Sequence, residues 1–134
     1  MGSKNWILTL IFSSLLVFVH CDGCFKSCDS GPFFADLEIK LTVNDENTQV
    51  PIEVYEGMYD TGSLIIQDTI SAAALINGKA IYNLEAGIFY SAAAIYKSGA
   101  KTIIAIDGAE MQLSTDDCNC DYPSNRILNL RLAK

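Results

Sequence analysis

Five cysteines, Cys21, Cys24, Cys28, Cys118 and Cys120, are the most reactive side chains of this 134-residue sequence, three of them inside Val19-His20-Cys21-Asp22-Gly23-Cys24-Phe25-Lys26-Ser27-Cys28-Asp29. Thiolates at such spacing can hold a metal, exchange electrons or be consumed in disulfides. The spacings Cys-x3-Cys and Cys-x-Cys differ from the paired Cys-x2-Cys knuckles of a zinc site, so a four-cysteine site of Cys24, Cys28, Cys118 and Cys120 stands as the alternative, metal-binding reading. Cys118 and Cys120 point the same way along an extended chain and bridge each other poorly. Cross-pairing follows, Cys24 and Cys28 with Cys118 and Cys120, in either of two connectivities. Each bridge closes a loop of about ninety residues, which constrains the unfolded chain by about 4–5 kcal/mol in the chain-entropy model. The odd count leaves Cys21 to be explained separately.

A second constellation is Tyr59-Asp60-Thr61-Gly62-Ser63. Asp-Thr-Gly-Ser is the signature with which aspartic proteases present a carboxylate, two of which share one proton across a water. One copy, Asp60-Thr61-Gly62, would require a dimeric enzyme, and Glu56-Gly57-Met58 stands where an apolar strand normally delivers the aspartate. Asp, Gly and Ser are equally the residues of an ordinary loop.

The acidic run Asp116-Asp117-Cys118-Asn119-Cys120-Asp121 carries oxygen ligands suited to calcium but lacks the spaced ligands and glycine of an EF-hand, and reads as a solvated loop beside a disulfide. His20 is the only histidine, and it precedes the expected mature chain, which removes Ser-His-Asp and Cys-His mechanisms and zinc sites built from two cysteines and two histidines. No catalytic residue and no cofactor is assigned. The aromatics Tyr55, Tyr59, Tyr82, Phe89, Tyr90 and Tyr96 could form a contact surface for protein or carbohydrate if they shared an exposed face, although strand propensity also explains them.

The elements that must position these residues begin with export. Trp6 to Val19 is an uncharged apolar run behind Lys4, too short to span a bilayer comfortably and suited to a signal peptide over residues 1–20. It resembles a bacterial lipoprotein signal ending Phe18-Val19-His20-Cys21, which implies that Cys21 is acylated and anchors the chain to the membrane. His20 occupies the place where a small residue is usual, and cleavage after Gly23 is the competing reading. Export brings an oxidising compartment in which the remaining cysteines can pair. The expected location is the cell envelope as an outer-membrane lipoprotein, periplasmic or surface-facing.

With 9 Lys+Arg against 16 Asp+Glu and a net charge of −7, no basic patch exists for phosphates, so nucleic acid is not expected as a partner. A short cysteine-containing segment, 21–32, leads into one domain, 33–134. Ala35 to Val43 and Val50 to Glu56 alternate apolar with polar residues, as half-buried strands do, with Pro51 favouring an edge or strand-initial place. Leu64-Ile65-Ile66 reads as a third strand, and Asp68 to Ala74 is open between strand and helical turn. Asn77-Gly78 and Asp107-Gly108 each separate apolar runs and predict type I′ hairpin turns. Ile88 to Tyr96 is apolar on both faces, as an internal strand requires, and Lys97-Ser98-Gly99 turns it. Ile127 to Leu132 alternates again. Seven or eight such strands predict an all-β antiparallel sandwich.

Ile76-Asn77-Gly78-Lys79-Ala80-Ile81-Tyr82-Asn83-Leu84-Glu85-Ala86-Gly87-Ile88-Phe89-Tyr90, with its turn glycine, apolar strand, Leu-x-x-Gly corner and aromatic strand, resembles the transthyretin-like (prealbumin-like) or carboxypeptidase-regulatory-like β-sandwich family. Val50-Pro51-Ile52-Glu53-Val54-Tyr55 after a polar turn is similar to that family's opening hairpin. The resemblance implies a seven-stranded accessory sandwich of envelope proteins, usually not catalytic, and hence a non-enzymatic binding or structural module.

Overall fold

The computed structural model describes residues 27–133, and they form a β-sandwich. The expected signal segment, Cys21 and Cys24 lie outside the described residues. The strands are β1 (Phe34–Lys40), β2 (Gln49–Glu56), β3 (Ser63–Ser71), β4 (Lys79–Glu85), β5 (Phe89–Ser98), β6 (Lys101–Glu110), β7 (Leu113–Thr115), β8 (Asp121–Pro123) and β9 (Arg126–Asn129). Three strands, in the order β4-β1-β9, face four in the order β3-β2-β5-β6, and β7 pairs with β8 as a separate ribbon. All pairings are antiparallel except β1 with β9, which is parallel.

Alternation decides what is buried. Ala35, Leu37 and Ile39 of β1 and Val50, Ile52 and Val54 of β2 turn into the core, where they meet Ala92, Ala94 and Tyr96 of β5 and Leu128 of β9. Tyr96 is the largest fully buried side chain, and its phenol is satisfied twice: it donates to the Leu130 carbonyl at 2.7 Å and accepts from the Thr42 N–H at 3.2 Å. Burial raises its pKa above that of a free tyrosine. Buried Asn47 does for the backbone what a strand partner would, accepting from the Lys97 N–H at 2.7 Å and donating to the Lys97 carbonyl at 3.0 Å.

Carboxylates lace the two flanks where the sheets part. On one, the Tyr82 hydroxyl of β4 donates to Asp68 of β3 at 3.0 Å. On the other, Asp107 of β6 accepts the Asn129 N–H at 2.8 Å, and Arg126 Nε donates to the Glu110 carbonyl at 2.9 Å. The Leu-x-x-Gly corner is the crossing from β4 to β5 between the sheets: Gly87 has φ +85° and gives its N–H to the Met111 carbonyl.

Two local expectations, both about hairpin turns, are corrected. Asp107-Gly108 is no turn; both residues lie inside β6, opposite Ala92 and Ser91. Gly108 is there for close approach, since a Cβ would stand 2.9 Å from the Phe89 ring and 3.1 Å from the Tyr90 carbonyl oxygen. The turn of this region is Gly99-Ala100 between β5 and β6, with positive φ at Gly99. Asn77-Gly78 is a turn with φ of +51° and +75°, but its leading arm is a 3-10 turn, Ala72–Ala74, joined to β4 by the single bridge Ile76 to Lys79. Lastly, β7 and β8 are strands that alternation does not announce, being three residues each inside a polar stretch.

Pro51 sits where a proline is tolerated. It is the third residue of β2, opposite Thr69 of β3, and the ladder to β5 begins only at the next residue, Ile52.

Candidate functional site

The loop from Gly57 to Gly62 joins β2 to β3 and carries Asp60. Its shape follows from two glycines. Gly57 takes φ +94°, and a Cβ on Gly62 would stand 2.4 Å from the Glu56 carbonyl oxygen and 2.6 Å from that of Met58. The loop folds back on itself through Thr61 N–H to the Met58 carbonyl at 3.2 Å and Gly62 N–H to the same oxygen at 2.6 Å. It is also fastened to β5: the Gly57 N–H donates to the Phe89 carbonyl at 2.8 Å, and the Ser91 hydroxyl donates to the Gly57 carbonyl at 2.7 Å.

This fastened loop overhangs the outer face of the four-stranded sheet and forms one wall of a cleft of about 510 Å³. Met58, Tyr59 and Asp60 come from the loop, Phe89 and Ser91 from β5, and Ile106, Asp107 and Gly108 from β6. Met58, Phe89 and Ile106 are 58%, 37% and 50% exposed, so the cleft presents hydrocarbon to solvent. Tyr59 is braced edge-on against Tyr55, with ring centroids 5.2 Å apart. Tyr55 in turn donates to Glu53 at 2.6 Å, and that bond, with burial second, pushes its pKa up to about 12.

The two aspartates that line the cleft differ: Asp60 stands on the overhanging loop, while Asp107, opposite core-facing Ala92, turns its carboxylate to the flank and the other sheet. Asp107 Oδ1 accepts from the Gly108 N–H and Oδ2 from the Asn129 N–H, each at 2.8 Å. Asp60 is exposed and has no hydrogen-bond partner among the described residues. A protease dyad needs two carboxylates free to share a proton and a water; Asp107, with both oxygens on backbone hydrogens, is not available as a second one from the same chain.

The cysteines and the acidic run lie elsewhere. Cys28 and Cys120 are joined in a disulfide that closes a sequence separation of 92, and Cys118 is disulfide-bonded as well. The bridge takes two of the four sulfurs that a four-cysteine metal site would need. Asp116 spends its Oδ1 on the Cys118 and Cys120 N–H groups, both at 2.9 Å, and Thr115 donates to Asp121 at 2.9 Å, so the acidic run folds on itself as the turn between β7 and β8. Among the described residues no group of three or more Cys, His, Asp or Glu is placed to hold a metal ion.

Sequence reading singles out Asp60 but misses Phe89, Ile106 and Met58 as its neighbours. The signal is present in the outward positions of β5 and β6, where alternation puts apolar residues on a face that no second layer of the described residues covers. Compared with family models, curated proteins and solved structures, the chain matches none.

Proposed function

We propose that the chain is a small exported envelope lipoprotein whose sandwich serves as a non-enzymatic binding or structural module, held to the membrane through Cys21. The observation that carries this reading is the Cys28–Cys120 disulfide. Such bonds persist in oxidising compartments, and one lies directly behind an apolar run of signal type.

Support for an accessory module comes from the two main sheets, whose seven strands agree in number with the sandwich that the transthyretin-like resemblance implies. Support for binding over catalysis comes from the cleft, where the Ser91 hydroxyl is spent on the Gly57 carbonyl and Met58, Phe89 and Ile106 present hydrocarbon.

Intact mass of the protein from the membrane fraction, with and without reductant, tests the reading. The expected result is a chain beginning at Cys21, heavier by its acyl groups, that gains two hydrogens per disulfide on reduction, while Cys21→Ser moves it to the soluble fraction. A full-length, unmodified chain in the cytosol, with all thiols free, overturns it.

A further inference from the structure

We propose that the cleft under the Gly57–Gly62 loop is a binding site for an alkylammonium group, a primary ammonium carried on an aliphatic stem. The inference deepens the binding-module reading and rests on it.

Subtraction of the committed polar groups defines the chemistry. The Ser91 hydrogen is donated to the Gly57 carbonyl, leaving only acceptor lone pairs on that oxygen. Both Asp107 oxygens hold backbone hydrogens. What remains among the described residues is the carboxylate of Asp60, which has no hydrogen-bond partner there, with the hydroxyl and ring of Tyr59 and the ring of Phe89. A carboxylate and aromatic faces attract cations, and among the described residues no Lys, Arg or His lines the cleft to receive an anion. The field of a chain with net charge −7 has the same sign preference at longer range.

The rest of the wall specifies the stem. Met58 and Ile106 expose hydrocarbon alongside the rings, so a ligand with an apolar body releases water that a small hydrated ion would leave in place. The volume of about 510 Å³ admits a chain of a few methylenes with room to spare. Gly108 belongs to the construction: without a Cβ it lets the Phe89 ring lie across the strand and form the wall. The loop that delivers Asp60 is held by two hydrogen bonds to β5, so the carboxylate is mounted before ligand arrives.

Methyl and amide NMR titration of the oxidised protein with pentylammonium, pentanoate and pentanol tests the site. Saturable shifts confined to Met58, Phe89, Ile106 and the 57–62 loop are expected with pentylammonium alone, with affinity falling as salt rises. Asp60→Asn is expected to weaken binding about tenfold, an effect typical of a lost charge-assisted contact; Glu46→Gln, at the far end of the same face, leaves it unchanged. Two further probes separate the sources of the same group: 1,5-diaminopentane binding more tightly than Nα-acetyl-lysine amide marks a free amine, and the reverse order marks a lysine side chain of a partner. Pentanoate binding as well as pentylammonium, shifts centred elsewhere, or an Asp60→Asn protein of native spectrum and undiminished affinity overturns the proposal. None of these outcomes alters the mass or the membrane fractionation that tests the envelope assignment.

Discussion

The four-stranded sheet has two apolar faces of different fate. Inward, Val50, Ile52, Val54, Ala92, Ala94 and Tyr96 are sealed beneath the three-stranded sheet. Outward, Phe89 of β5 and Ile104 and Ile106 of β6 stand on the same sheet, 37% to 50% exposed. Strand propensity is common to both, so the difference lies in the covering layer. Ala93 sharpens the contrast, being fully buried on the outer side yet apart from the core cluster, a small residue sunk beneath taller neighbours. Hydrocarbon left open in this way adds nothing to folding free energy, and a contiguous exposed apolar patch is a mark of interaction surfaces.

Substitutions on the two faces should separate accordingly. Ile52→Ala opens a cavity in the sealed face and should cost about 2–5 kcal/mol in urea denaturation. A loss below about 1 kcal/mol there would erase the distinction. Tyr96→Phe leaves the Leu130 carbonyl without its donor and should cost about 2 kcal/mol.

The same phenol gives a pH signature. Tyr96, Tyr90 and Tyr82 are all raised above the ordinary tyrosine value, burial being the leading cause in each, with the Asp68 hydrogen bond adding to it at Tyr82. The folded chain therefore keeps protons that the unfolded chain begins to release near pH 10. Their stabilisation is complete below that pH and is lost as pH climbs through the raised values. Chemical denaturation against pH should show stability falling above about pH 10, and a flat profile to about pH 12 would refute it.

Gly108→Ala belongs to the outer face but presses on Phe89, and it should cost about 1 kcal/mol, recovered in part by Phe89→Leu. Ile106→Ser is expected to change stability by less than about 0.5 kcal/mol while weakening alkylammonium binding. A core-sized loss at Ile106 would make the outer face a structural one after all.

How far these features can be read in advance depends on the range of the forces that set them. Alternation in Ala35 to Val43 is a local record of burial, so β1 and its inward residues are legible. Asn77-Gly78 is legible because both turn residues need positive φ, a property of the dipeptide itself. Asp107-Gly108 has the same kind of letters for a different reason: its glycine answers to Phe89 across the ladder and its aspartate to Asn129 in the other sheet. Neither partner is near in sequence. The cleft is hidden on the same account, since Asp60 meets Phe89 and Ile106 only after β5 and β6 have paired. Cys28 and Cys120 fall between these cases, because spacing narrows their connectivity to two choices that only the fold can separate.

The Cys28–Cys120 bond also sets a load path. Tension applied to the chain ahead of Cys28 and to its far end crosses at the sulfurs and leaves through β8 and β9, so the backbone between the two cysteines is bypassed covalently, and load enters the sheets through the hydrogen bonds of β9 and Leu130. A tethered module of this build would pass a pull on to its neighbours without drawing out the strands that carry the cleft. In single-molecule extension the oxidised chain should lengthen only by the segments outside the bridge, and reduction should release the length of the closed loop.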